Sequence, residues 1–501
     1  MPLQPLDIPP GIARLATPQA SQGRWWDANL IRFQGGVLRP VGGWQRLQAC
    51  TLPERALCMH SWRDNIGLRH LAVGTATKLL QYDGSLQDIT PAALPGLGGP
   101  GPALGYGIDA YGKYAYGTGR PTPPATPPGS AIDPGDWWCF DNWGQDLLAL
   151  PTSNGVLYRW RKGDATATAI ATAPVGAQAV IVTAERHVVL CGTSTDPRTI
   201  SWSDQENPDS WTPTITNLAG SLQLQTSGQV MAATRVREGI LILTDVDAHL
   251  LRWVGPPYAY GLERLASGCG PIGPGALVGD GHIAGWMGRQ GWWVWRGQIE
   301  PLVSPLRDMV FGDINVQTAP LSFAVFFDAN QEIWSFYPSS SSMVPDRYVS
   351  YSWAEQVWSM GRLGRSAGAT GGVWGSPLLA DNNLLVQQHE LGWTDDGAVR
   401  GPKIYAETSD LQLGNGDSLV NCRGLFSDVQ QEEERVCFHF FVQQAPALPE
   451  RVRGPYKTVA GKARLDLKLQ ARSFRLRAEA AVDGPWSLGR MRLDLGQGPR
   501  R

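Results

Sequence analysis

Seven stretches of this 501-residue sequence share one design: an apolar run of three to six residues, a small polar turn, and a second run that closes on an aromatic. They are LAVGTATKLLQYDGS, LLALPTSNGVLYRWRKG, VVLCGTSTDPRTISWSD, ILILTDVDAHLLRWVG, HIAGWMGRQGWWVWRGQ, FAVFFDANQEIWSFYP and LLADNNLLVQQHELGWTDDG. Their closing aromatics are Tyr82, Trp160, Trp202, Trp253, Trp295, Trp334 and Trp393. Successive separations are 78, 42, 51, 42, 39 and 59 residues, and four of the six fall near the roughly 40–50-residue period of propeller blades. A hairpin cannot bury its apolar face alone. Stacking small sheets around an axis buries both faces of each and leaves only short edges. The repeat therefore predicts an all-β chain with a six- or seven-bladed β-propeller, the aromatics filling gaps between blades.

Composition agrees. The 59 Gly and 38 Pro stop helices and build turns, and the 21 Trp suit pleated, half-buried surfaces. In this frame TISWSDQENPDSW reads as blade punctuation, TISWSD ending one hairpin and QENPDSW connecting to the next blade. Residues 1–50 read as N-terminal strands that dock on or close the propeller, and residues 51–402 as the propeller itself. Two segments interrupt it: a Gly- and Pro-rich irregular insertion at 91–134, and PSSSSMVPDRY after Trp334. From 403 to 501 the closing aromatics stop, and RLDLKL and FRLRAEA alternate apolar with charged residues. That is the pattern of one-sided antiparallel sheets, and a β-sandwich-like domain follows.

Charge is uneven along the chain. Residues 451–501 hold thirteen Lys and Arg against four Asp and Glu, a balance of +9, which leaves −11 on the rest of a chain of net charge −2. No run of about 18 apolar residues offers a membrane span. MPLQPLDIPPG lacks the basic and apolar regions of a signal peptide. Seven scattered cysteines without C-x-x-C spacing point to free thiols in a reducing cytoplasm rather than to zinc or disulfides.

Candidate chemistry is sparse. GRSAG (Gly364–Gly368) fits the G-x-S-x-G nucleophile pattern, with Asp381 and His389 following in hydrolase order. The next residues, ATGGVWGS, cannot supply the helix that such an elbow needs. GLGGPGPALGYG lacks phosphate-loop spacing. DVDAHL and FDANQE place carboxylates where hairpin turns are expected, without a calcium loop. The histidines show no H-x-x-H spacing, and His187 and His439 lie inside strand runs. Asp204, Glu206 and Pro208 occupy the three positions where a sialidase-type S-x-D-x-G-x-x-W box needs Ser, Asp and Gly. The sequence nominates no catalytic, cofactor-binding or metal-ligating residue.

The N-terminal stretch GRWWDANLIRFQGGVLRPVGGWQRL is the most distinctive. Its pattern, carried by Arg24, Trp25, Asp27, Asn29, Arg32, Phe33, Gly42, Gly43 and Trp44, resembles the opening of the propeller-type tail proteins of short-tailed double-stranded DNA bacteriophages. These are the tail nozzle, tail hub or packaged-DNA stabilisation proteins. LAVGTATKLLQYDGSLQDITP, ISWSDQENPDSWTP and the ending RSFRLRAEAAVDGPWSLGRMRLDLGQGPRR extend the resemblance in short segments. It implies a virion structural protein, not an enzyme, assembled in the host cytoplasm and needing no cofactor. Its implied partners are further copies of itself in a closed ring (a homohexamer), the portal or adaptor ring above, and tail fibre, spike or needle proteins. Double-stranded DNA would pass through the lumen without sequence-specific binding. A second reading is a non-catalytic propeller that binds glycan or protein at a tail tip, with Trp137, Trp138 and Trp143 as candidate platforms. A propeller glycoside hydrolase has the least support, because no pair of carboxylates is nominated for it.

Overall fold

Short apolar runs punctuated by Gly, Asn and Asp turns form antiparallel hairpins, and here they associate in fours. A computed structural model describes residues 3–15, 17, 20–92, 94–98, 135–413, 419–431, 433–443 and 449–497. Among them are seven four-stranded and two six-stranded antiparallel sheets. Blade one comprises Cys58–Arg63, Arg69–Gly74, Leu79–Tyr82 and Leu86–Asp88, in that order across the sheet. Blades two to six repeat the plan, starting at Trp138, Ala179, Val230, Leu277 and Phe323. The first strand of each blade touches that of the next. The first strand of blade seven, Arg365–Ala369, returns to Cys58–Arg63 and closes the circle.

Blade seven takes its outer strand from the N-terminus. Trp44–Thr51 pairs with Leu385–His389, Trp44 facing His389 and Gln45 facing Gln388. A seven-bladed propeller results, with one blade stitched from both ends of the propeller segment. Inner and middle strands such as Asp146–Pro151, Ala179–Val182 and Val188–Cys191 are wholly buried, because neighbouring blades cover both faces. Outer strands such as Thr168–Ala169 and Gly220–Gln223 are short and polar, which protects their open edges.

Two expectations are corrected. QENPDSW does not lead to the next blade; it joins the third strand of blade three, Thr199–Trp202, to its own fourth strand, Gly220–Gln223. That fourth strand is too short and polar to announce itself. Trp334 lies on the second strand of blade six (Glu332–Tyr337), whereas Tyr82, Trp160, Trp202, Trp253 and Trp295 lie on third strands. A hairpin of strands one and two has the same local pattern as one of strands two and three, so sequence alone does not separate them. Trp393 falls beyond the third strand of blade seven, in the segment after His389.

The remaining two sheets face each other as a sandwich, and the N-terminus contributes to both. One sheet runs Ile31–Gln34, Val37–Pro40, Trp486–Gln497, Val420–Gln431, Arg464–Ala471, with Gln4–Leu6 pairing Met491–Leu493 on the same edge of Trp486–Gln497 as Val37–Pro40. The other runs Trp25–Asn29, Tyr405–Thr408, Ser473–Ala480, Val436–Gln443, Arg451–Lys457, with Leu411–Gln412 also on Ser473–Ala480. Phe438, Phe440, Leu476 and Ala478 face Leu469, Leu488 and Leu493 across a common core. Residues 1–50 thus divide: the part up to Pro40 enters the sandwich, and Trp44 to Thr51 enters the propeller. Residues 99–134 of the Gly/Pro-rich insertion lie outside the described residues; the segment leaves after blade one and returns at blade two.

Candidate functional site at the joint of propeller and sandwich

The innermost strands of all seven blades surround an axial cavity of about 420 Å³, lined by residues such as His60, Trp137, Phe140, Thr234, Phe323 and Ala369. Its size is that of a small-molecule pocket. The Ser366 hydroxyl of GRSAG is buried and meets no hydrogen-bond partner among the described residues, while His389 Nε2 accepts the Arg365 Nε hydrogen at 3.1 Å. The histidine is committed to an arginine, not to the serine. Asp381 accepts from the amides of Asn383 and Leu385 and shapes a turn. Asp245 and Asp328 likewise sit at hairpin connections.

The N-terminal motif converges on the joint between the two domains. Arg32 leaves its strand and forks between two carboxylates. Its Nε and Nη2 reach Glu332 at 3.2 and 3.1 Å, and its Nη1 and Nη2 reach Glu390 at 3.0 and 2.8 Å. Arg32 and Glu332 are both buried. Burial pulls the guanidinium down, but the two carboxylates outweigh it and hold Arg32 above its ordinary value. Burial pushes the Glu332 carboxyl up, partly offset by Arg32 and by the indole N–H of Trp334, which donates to it at 2.8 Å. Burial outweighs these partners, and the nearby Glu390 carboxylate adds to the rise.

Several neighbouring motif residues take part in the same stitching, and others pack within the sandwich. Asn29 donates to the Lys403 carbonyl and accepts from the Arg362 amide, both at 2.7 Å. Leu30 holds positive φ (55°), and its amide donates to the Tyr348 hydroxyl, whose ring stacks on Trp334 at 4.2 Å. Asp27 accepts from the Tyr405 hydroxyl at 3.2 Å. The Arg24 amide donates to the Ser21 carbonyl, while Trp25 and Phe33 are core residues. A Cβ on Gly42 would stand 2.5 Å from Glu390 Oε2, and one on Gly43 would stand 2.5 Å from the Thr394 carbonyl. Both positions therefore exclude any side chain. Trp44 stacks on His389 at 5.0 Å, with the Arg365 and Arg400 guanidinium groups 5.0 and 4.8 Å from its ring. Arg400, a residue that pattern reasoning passed over, donates to the Val41, Gly42 and Trp393 carbonyls. Burial, then the charges of Arg365 and Arg400, drives His389 well below the usual histidine range.

Beside this clamp lies a cleft of about 560 Å³, walled by Arg39, Gln34, Trp393, Gln430 and Trp486. Trp334 and Trp393 belong to this clamp and cleft, and the other blade aromatics pack elsewhere: Tyr82 donates to the Gln48 carbonyl, Trp160 to the Asp164 carbonyl, Trp202 to the Leu218 carbonyl. Trp253 packs edge-on against Tyr260, and Trp295 is buried between blades four and five. None of the 21 Trp side chains is exposed. Trp137, Trp138 and Trp143 are buried, the last under the Arg186 guanidinium at 4.3 Å. No helix among the described residues is long and apolar enough to cross a membrane.

No family model and no curated protein matches the sequence. Among solved structures, the chain is similar to YCF48 from Cyanidioschyzon merolae (11% identity, 69% of this chain and 98% of that chain, TM-score 0.38). It is also similar to the N-terminal domain of Nup159 (11% identity, 72% and 98%, TM-score 0.34). A third likeness is to PorZ, a component of the type-IX secretion system of Porphyromonas gingivalis (8% identity, 76% of this chain and 44% of that chain, TM-score 0.36).

Proposed function

We propose that this protein is a virion structural component, a tail nozzle. Copies of it close into a ring below a portal or adaptor, retain packaged DNA and conduct it during ejection. The observation that carries the reading is the fate of the motif from Arg24 to Trp44. Asn29, Arg32, Gly42, Gly43 and Trp44 of that motif join sandwich to propeller, and this favours an architectural part over a catalyst. The axial cavity of one propeller has no room for a duplex, so in this reading the DNA lumen is formed between copies. Such a ring needs heterologous head-to-tail contacts. Arg451, Arg453 and Lys457 lie exposed on one sandwich edge and Arg464 and Lys468 on the other sheet's edge beside it, at the end farthest from the N-terminal strands. This basic pole complements the acidic remainder of a neighbouring copy. An acidic lumen would also avoid gripping passing phosphates.

The glycan-binding alternative needs aromatic platforms open to solvent. The burial of Trp137, Trp138 and Trp143 supports the structural reading over it. Quantitative mass spectrometry of DNA-filled particles is the test. The proposal expects this chain at one small ring of copies relative to the portal. Its absence from particles would overturn the proposal.

A further inference from the structure

One face of the sandwich carries three metal-type donors that no spacing rule links. Cys437 and His439 alternate on the strand Val436–Gln443, so both point away from the sandwich core. Glu479, on Ser473–Ala480, is the direct cross-strand partner of Cys437. His439 Nε2 lies 3.8 Å from Cys437 Sγ and 4.0 Å from Glu479 Oε1, and all three donor atoms fall within 4.8 Å of one another. A tetrahedral zinc ion, with bonds of about 2.3 Å to sulfur and about 2.0–2.2 Å to nitrogen and oxygen, separates such donors by about 3.4–3.6 Å. The two separations from His439 need only a few tenths of an ångström of adjustment, and that between Cys437 and Glu479 at most about 1.2 Å, within reach of a rotation of the Glu479 side chain.

The surroundings fit as well. The two oxygens of Glu479 have separate tasks. Oε2 is ion-paired with Arg477, its Nε 2.9 Å away, while Oε1 faces His439. Arg477 is itself fixed over the Tyr405 ring at 3.7 Å. A cation paired with one oxygen of the carboxylate leaves the other turned toward His439 and available to a metal. The Cys437 thiol is buried, whereas the His439 and Glu479 side chains keep 21% and 16% exposure, which leaves a path from solvent.

We propose that Cys437, His439 and Glu479 form a zinc site of three protein ligands, with the fourth position open to water. On binding, the Cys437 S–H gives its proton to solvent and the thiolate forms the Zn–S bond; no electron is transferred. The ion ties two adjacent strands of the sandwich face together. This inference is independent of the tail-nozzle reading.

Cobalt(II) titration of the full-length protein tests it. One equivalent should raise a thiolate-to-cobalt charge-transfer band together with visible d–d bands of tetrahedral intensity, and zinc should displace both. Cys437→Ser should abolish the charge-transfer band. His439→Gln and Glu479→Gln should each weaken affinity at least about tenfold, since even outer partners of a ligand are worth about that much. Circular dichroism would show that each variant is folded. The wild-type protein giving no charge-transfer band, or the band persisting in Cys437→Ser, would overturn the proposal.

Discussion

The propeller and the sandwich are built from the same kind of strand by opposite rules of assembly. Six of the seven blades take four consecutive strands each, so nearly every pairing is between neighbours in sequence. In the sandwich, Trp25 faces Thr408 and Leu38 faces Leu488, pairings that span most of the chain. The difference teaches where order in this molecule comes from. Blades are specified locally and then closed by Trp44–Thr51, whereas the sandwich sheets are complete only when the N-terminal strands meet residues beyond 403. The segment from Trp25 to Thr51 belongs to both, and Arg32 sits at its centre with one carboxylate from blade six and one from the end of blade seven.

If the clamp couples the two assemblies, removing its cation should separate them. Arg32→Met leaves Glu332 and Glu390 unpaired and should cost about 3–5 kcal/mol. Calorimetry should then resolve two transitions, against the single one expected of the wild type. Next come matched cavities. Leu241→Ala in blade four and Leu476→Ala in the sandwich, both fully buried, should each cost about 3 kcal/mol. In the Arg32→Met background each should lower only the transition of its own domain. If both transitions move together, the contrast between the domains fails. Gly42→Ala pushes a methyl into Glu390 at the joint and should cost about 2 kcal/mol by denaturant titration, more than Gly→Ala at an exposed and open position such as Gly372.

The smallest effect is a pH dependence confined to the propeller side. His389 is held neutral, its folded pKa lying below that of the unfolded chain. As pH falls through the ordinary histidine range the unfolded chain takes up a proton that the folded chain refuses. The stability this group contributes is therefore present above that range and is lost on acidification, with a slope of at most about 1.4 kcal/mol per pH unit. His389→Gln should flatten that part of a stability-versus-pH curve.

The local half of the molecule was the legible half. The hairpin ending on Trp202 declares itself because its two runs are adjacent and its turn is polar. Gly220–Gln223 stays hidden because an edge strand packs on one side only and needs little apolar character. The alternation in SFRLRAEA revealed which face is core, but not that Tyr405–Thr408 and the N-terminal strand lie beyond it, since pairing partners leave no local trace. Arg32 stood out as part of a motif, while its partners Glu332 and Glu390, 300 and 358 residues away, did not. His439 read as an ordinary strand residue. Only register across the sheet brings Glu479 to it and to Cys437.

The most direct test of the proposed role is a localised cryo-EM reconstruction around the tail axis of DNA-filled particles. The account predicts a ring of seven-bladed discs coaxial with the portal, each disc joined to its sandwich at the Arg32 clamp and with DNA running between copies. The same discs found at fibre tips, or threaded singly by DNA, would contradict it.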